Sequence, residues 1–364
     1  MIELTHESIE NYLRLALGDD VRLTAVGDIG SLDEQGIKDF GYGKPVLVRW
    51  ERKGKVGEAV ISVMRGDRYG HQDYWDRARI LMFQYETGAR MERHVRPLGM
   101  GYVDAKGGLV PMRGVQEFFI VNEKLEGSDY FLDLERIRNG DFREADLELT
   151  RDFARWMARV HSVKLDSPDR YIRRIRNLLG DCECIFGIID GYPHPYAEFT
   201  PKRFQALEKR LVEWRWKLRG YTHRLSEVHG DFHPWNVLVQ ADESGRFDFR
   251  VLDRSRGVWG EPAGDVATMT MNYALFGLLG GKPKLEGPFL ELYTAFWETW
   301  LTETGDTEAA EIIAPFYVFR GLVVASPEWY PRHTPEVRSA LFRFVENVLE
   351  NGRFDYTDFN RYLR

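Results

Sequence analysis

His229-Gly230-Asp231-Phe232-His233-Pro234-Trp235-Asn236-Val237-Leu238, followed by Val251-Leu252-Asp253 and then Gly260-Glu261-Pro262-Ala263-Gly264-Asp265, places three oxygen-bearing side chains at fixed spacing. Asp231 can accept a proton from a hydroxyl. Asn236, five residues on, and Asp253, after a second apolar strand, are oxygen donors of the kind that hold hard metal ions. Phosphoryl transfer from a metal nucleotide asks little covalent chemistry of a protein; it needs positioning and charge neutralisation. A base and two metal ligands on one loop–strand–turn–strand unit meet that need. An isolated Asp or Asn in a loop is usually a turn former, so the spacing carries the assignment. His229 and His233 are expected to hydrogen-bond backbone and keep the loop in shape, and Trp235 to pack. Asp265 follows Pro262 and Gly264 and opens an apolar helix, where a carboxylate also satisfies free N–H groups.

His-Gly-Asp-x-His-Pro-x-Asn-Val-Leu, the apolar-apolar-Asp strand and Gly-Glu-Pro-x-x-Asp-Val-Ala together resemble the aminoglycoside phosphotransferase and choline kinase-like family. The resemblance covers roughly residues 20–280. It implies an α+β, bilobal protein-kinase-like fold. A small N-terminal lobe with an antiparallel sheet plus helix (1–121) is expected, then a hinge (122–128) and a larger, mainly helical C-terminal lobe (129–364). It further implies ATP and Mg2+ as cofactors, Asp231 as catalytic base, Asn236 and Asp253 as magnesium ligands, and Asp265 as a brace for the catalytic loop.

In the first lobe, residues 7–18 show helical periodicity and Val21–Val26, Pro45–Glu51 and Glu58–Arg65 read as strands. Arg52-Lys53-Gly54-Lys55 reads as a hairpin turn. By resemblance, Gly27 and Gly30 occupy the glycine-rich loop that covers nucleotide phosphates, since glycine lets backbone N–H groups approach closely. Ser62 stands where the family carries a phosphate-pairing lysine. That departure leaves Arg65, Arg49 or Arg77 to supply the charge, and it motivates the alternative of a nucleotide-binding pseudokinase-like module. Glu117–Gly127 reads as a strand entering a polar stretch, with Asn122, Glu123 and Leu125 at the interlobe segment that meets the adenine.

Further on, Ala145–Ser162 and Thr200–Gly220 are predicted helices, the second capped by Thr200-Pro201. Cys184–Phe199 reads as a connection. Helices are expected around 265–279, 288–304, 308–326 and 335–351.

At 364 residues, with 43% hydrophobic residues, ten Trp, 17 Tyr and 22 Phe, the chain suits two lobes around a cleft. A formal net charge of −7 argues against nucleic-acid binding. After Gly260-Glu261, acidic residues outnumber basic ones fourteen to nine, a surplus able to draw a cationic substrate. Cys182 and Cys184 form a lone Cys-x-Cys without a second metal-binding pair. The first residues lack a signal-peptide pattern, and no apolar run spans a bilayer. A cytoplasmic protein without a membrane partner is expected. The acceptor is expected to be a hydroxylated small molecule such as an aminoglycoside, amino alcohol or sugar. A protein kinase is disfavoured because no Ala-Pro-Glu-like segment closes an activation loop. Oligomeric state is not written in the sequence.

Overall fold

The structure is a computed structural model and describes residues 4–28, 43–241, 247–281, 283–350 and 352–364. The chain divides into two compact units, Met1–Glu123 and Lys124–Arg364.

The first unit opens with helix α1 (His6–Leu17), capped by Thr5, whose hydroxyl accepts from the Ser8 N–H at 3.2 Å. Strands β1 (Val21–Asp28), β2 (Gly43–Arg52) and β3 (Lys55–Met64) form an antiparallel sheet in that order. Lys53 and Gly54 both take positive φ, 49° and 73°, which is the two-residue hairpin turn whose twist matches that of the strands. Ile9 and Leu13 of α1 pack on Val21, Leu23 and Val48 to make a small separate core. Helix α2 (Tyr74–Gly88) follows, its N-terminus closed by a reciprocal Asp73–Asp76 capping box. A short ribbon, β4 (Met100–Val103) with β5 (Leu109–Met112), completes the unit.

Residues 113–127 form no strand, contrary to the sequence expectation at Glu117–Val121. Phe118–Val121 have high strand propensity but pair with no neighbouring strand among the described residues, and propensity alone does not make a sheet.

The second unit begins with β6 (Ser128–Asp129), α3 (Tyr130–Arg138), α4 (Glu144–His161), α5 (Pro168–Gly180), α6 (Ile185–Asp190) and α7 (Pro201–Leu218). Strands β7 (Ser226–Glu227), β8 (Val237–Ala241), β9 (Phe247–Val251) and β10 (Trp259–Gly260) come next. Helices α8 (Pro262–Leu278), α9 (Pro288–Thr304), α10 (Ala309–Ile312), α11 (Ala314–Ala325) and α12 (Pro335–Asn347) follow, and a 3-10 segment (Tyr356–Leu363) ends the fold. Helix α8 is mostly apolar and buried nearly all round, packing on α9 and α11 while α4 covers α9. Sheet order is β6-β8-β9, with β7 and β10 paired apart from it.

The single helix expected over 308–326 is two. Pro315 in the first turn of α11 has no N–H to continue the α10 ladder, so the chain restarts at Ile313. The stretch expected as a plain connection contains α6. Cys182 and Cys184 are free thiols, and burial pushes Cys184 up to about 11, so it stays protonated. Among the described residues no helix is long and apolar enough to cross a membrane.

Candidate active site

The loop between β7 and β8 is held from beneath by α8. Val228 N–H donates to Val258 O at 2.9 Å, extending the β7–β10 pairing. The next two amides, of His229 and Gly230, donate to the two carboxylate oxygens of Asp265 at 2.9 and 2.8 Å. Asp265 is buried and is held in turn by His161 Nε2 at 3.2 Å, whose Nδ1 accepts from the Trp300 indole at 3.0 Å. That acceptor role leaves the His161 proton on Nε2, facing the carboxylate. The helix cap itself is Glu261, which accepts from Ala263 N–H, so Asp265 is left to brace the loop. Gly230 has φ 92°, and a Cβ there would lie 3.1 Å from the Arg256 Cβ. Glycine is required for both reasons.

His229 and His233 serve the backbone, as expected. His229 Nε2 donates to Leu252 O at 2.9 Å while its Nδ1 accepts from Asp231 N–H at 3.3 Å. His233 Nδ1 accepts from Trp235 N–H at 3.2 Å.

Asp231, Asn236 and Asp253 are brought together by this scaffold. The Asn236 amide donates to Asp231 O at 3.0 Å, which closes the loop and fixes the side chain. Val237 opposes Val251 in the β8–β9 hairpin, and Leu252 N–H donates to Asn236 O at 2.9 Å. Asp253 therefore leaves the hairpin immediately beside Asn236. It does so at φ 52°, a left-handed conformation that costs a non-glycine residue energy and that clusters at functional sites. Asp231 and Asn236 are buried; Asp253 is exposed and makes no ion pair among the described residues.

Two arginines that the sequence reading did not single out face Asp231. Arg256 Nε donates to Oδ2 at 3.2 Å, and Arg320 Nη1 of α11 lies 3.6 Å from Oδ1. Burial pushes the Asp231 carboxyl up, but Arg320, His233 and Arg256 together outweigh it and hold the group below its ordinary value. Burial, with Arg320 adding to it, presses His233 down to about 4, so the imidazole is neutral near pH 7. Arg256 stands only three residues after Asp253 and was open to inspection. Arg320 arrives from a distant helix and has no local signal.

These shifts set a pH dependence of stability. His233 and His333 fall from 6.5 to about 4 in the fold, both through burial, so the unfolded chain takes up their protons first. Stability is therefore full above about pH 6.5 and is lost as pH falls toward 4. The depressed carboxyls of Asp231 and Asp306 extend the loss below that. Urea midpoints at pH 7 and pH 5 check this, and His233→Gln flattens the difference.

The remaining site residues from the sequence are not joined to this cluster within either unit. Gly27 is exposed on β1, and Ser62 lies on the exposed face of β3, opposite Pro45. Asn122 and Glu123 end the first unit and Leu125 lies in the second, all without regular structure. Gly30 lies outside the described residues. Of the arginines considered as substitutes for lysine, Arg49 is paired with Glu58 across the strands. Arg77 donates to the carbonyls of His71 and Gln72 at 2.7 and 3.0 Å.

The chain belongs to the phosphotransferase enzyme family, whose family model matches residues 89–304, and it has the protein-kinase-like α+β fold. Among solved structures it is similar to a glucosamine kinase in complex with glucosamine, ADP and inorganic phosphate. That likeness has 19% identity and a TM-score of 0.39, covering 60% of this chain and 59% of that one. A second crystal form of glucosamine kinase is similar at 15% identity and TM-score 0.41, covering 93% and 99%. A Plasmodium vivax ethanolamine kinase is similar at 13% identity and TM-score 0.35, covering 95% and 81%. The chain spans about three-fifths of the length of the first of these structures. No curated protein matches the chain.

Proposed function

We propose that this protein is a small-molecule kinase, transferring the γ-phosphoryl group of ATP to a hydroxyl of a small acceptor with magnesium as cofactor. The observation that carries this is the clustering of Asp231, Asn236 and Asp253 on one braced loop and hairpin.

The donor set fits magnesium. Asn236 spends its N–H on the Asp231 carbonyl, which leaves its amide oxygen as the group available to a cation. Asp253 offers an exposed carboxylate. No group of three His, Cys, Asp or Glu side chains suited to a metal occurs among the described residues. Magnesium, which keeps waters and takes one or two protein oxygens plus substrate phosphates, asks for none. When bound, it would neutralise charge on the phosphates between Asn236 and Asp253.

Asp231 orients the acceptor hydroxyl. The acceptor oxygen forms a bond to the γ-phosphorus as the bond to the departing ADP oxygen breaks, and the hydroxyl proton passes to the Asp231 carboxylate. A carboxyl held below its ordinary value is ionised at neutral pH and therefore free to accept. It is a weak base in Brønsted terms, which suits a loose transition state where the proton moves late and orientation matters most.

One observation favours a nucleotide-binding module instead: Ser62 cannot neutralise phosphate, and Arg49 and Arg77 are already engaged. Calorimetry with ATP, with and without magnesium, tests the metal assignment under either reading. Asp253→Asn should weaken the metal-dependent part of nucleotide affinity by at least about tenfold, the scale for disturbing a metal site. Unchanged metal dependence in that variant rules Asp253 out as a ligand.

A further inference from the structure

Three arginines are buried among the described residues: Arg224, Arg320 and Arg338. Two of them are saturated. Arg224 donates to Glu261 and Asp306 at 2.6 to 3.2 Å and to Glu308 at 3.1 Å. Arg338 donates to the carbonyls of Ala325, His333 and Tyr330 at 2.7 to 3.3 Å. Arg320 is the exception. Its Nε is buried with no hydrogen-bond partner among the described residues. The only carboxylate within 4 Å of it there is Asp231, at 3.6 Å. A buried guanidinium has five donors to satisfy, and leaving them unpaired is costly.

Arg256 adds a second guanidinium to the same carboxylate and lies over the Phe319 ring, 5.3 Å from its centre. Its other carboxylate partner, Glu183, is 3.5 Å away and mostly exposed, so it offsets little charge. Within 4 Å of the Asp231 carboxylate, among the described residues, two guanidinium groups therefore face one carboxylate, while the Asp253 carboxylate stands beside Asn236 at the proposed metal site.

The acidic surplus of the C-terminal region does not reach this point. Asp306 and Glu308 are bound to Arg224, Glu346 to Arg203, and Glu311 to Arg353. No carboxylate of that region lies within 4 Å of Arg256 or Arg320 among the described residues, so the count of acidic residues does not describe the surroundings of Asp231.

We infer that the acceptor carries an oxyanion, a carboxylate or a phosphate, close to the hydroxyl that is phosphorylated, and that Arg320 and Arg256 bind it. The inference rests on the kinase reading, since it names the acceptor class of the same site. Guanidinium forks match the geometry of both oxyanions. The incoming anion takes over the bond that Arg256 makes to Asp231, which frees the carboxylate for the hydroxyl. Two-point attachment, hydroxyl on Asp231 and oxyanion on the arginines, fixes the attacking oxygen. Trp235 and Tyr330, which meet edge to face with ring centres 6.1 Å apart, supply apolar surface in the same unit.

The test uses four acceptors that share a hydroxylated three-carbon frame: glycerate, glycerol 3-phosphate, glycerol and 3-amino-1,2-propanediol. Binding to the full chain is measured at fixed ionic strength by calorimetry or ligand-observed NMR. Transfer from ATP with magnesium is measured in parallel. The two anions should bind at least about tenfold more tightly than glycerol, with the amine weakest, in line with one to two charge-assisted hydrogen bonds. Arg256→Gln should abolish that advantage by raising the acceptor KM far more than it lowers kcat, and Arg256→Lys should restore part of it. Arg320→Gln should act the same way. Because Arg320 is buried, its melting curve is compared first, and the half-exposed Arg256 carries the decision if Arg320→Gln unfolds. The proposal is overturned by equal binding of all four, by preference for the amine, or by an anion advantage that survives in Arg256→Gln. A fall in kcat alone, equal for every acceptor, also overturns it, because the arginines would then act on the transferred phosphoryl group. Arginine-dependent anion binding without phosphate-ester formation from any member counts against the kinase reading and leaves the anion site standing.

Discussion

Asp231→Asn should lower kcat for phosphoryl transfer by about 10²- to 10⁴-fold, the range for a positioned acid or base, while nucleotide affinity stays close to that of the unsubstituted protein. Asparagine has the same shape, and its amide oxygen can still accept from Arg256, but it cannot take a proton. The bond that closes the loop, from Asn236 to the Asp231 carbonyl, is a main-chain contact and survives. The substitution also removes the only carboxylate partner of Arg320 among the described residues and the nearer one of Arg256, so stability falls as well. Turnover is therefore compared below the melting point of the variant. A kcat near that of the unsubstituted protein on any acceptor removes Asp231 from the mechanism.

The largest effect on stability is expected at Arg224. Its guanidinium lies between buried Glu261 and the carboxylates of Asp306 and Glu308, tying the start of α8 to the segment before α10. Arg224→Ala leaves Glu261, which is 5% exposed, charged and without its cation. Breaking a buried pair by removing one partner costs about 3–5 kcal/mol. Tyr171 and the Ala263 amide still bond to Glu261 and keep part of the cap. The loss reaches the site because Glu261 starts the helix that carries Asp265 to the His229 and Gly230 amides. Urea denaturation measures the change. Adding Glu261→Gln to Arg224→Met should recover part of it, since the uncompensated charge is then gone. A loss below about 1 kcal/mol for Arg224→Ala, the level of an exposed pair, contradicts a buried network.

The loop around Asp231 was legible as a motif because the chemistry proposed for it demands particular residue types at particular spacing. Asp231, Asn236 and Asp253 lie on a short loop and a hairpin, so their separation in sequence nearly dictates their proximity. The same locality made the Lys53-Gly54 turn and the helix starts at Thr200-Pro201 and Thr334-Pro335 readable, although only Thr334 caps its helix with the side chain. Pro315 was visible too, and the break it makes between α10 and α11 follows from its missing N–H. The strand expected at Glu117–Val121 fails because pairing is decided by a partner that local sequence does not name.

The sign of the charge around Asp231 was illegible for a related reason. Counting acidic residues after Gly260-Glu261 gives a negative region, yet the fold pairs Asp306, Glu308, Glu311 and Glu346 with arginines elsewhere. It then delivers Arg320 from α11 to Asp231. Composition reports totals; chemistry at a site depends on which charges remain unpaired there.

The most direct measurement is phosphorus NMR of the purified full chain with ATP, magnesium and a panel of hydroxylated metabolites. A small-molecule kinase gives ADP and a new phosphate-ester signal in equal amounts, dependent on one acceptor class and lost in Asp231→Asn. Magnesium-dependent ATP binding with no ester from any acceptor, or an ester formed equally well by Asp231→Asn, contradicts phosphoryl transfer at this site.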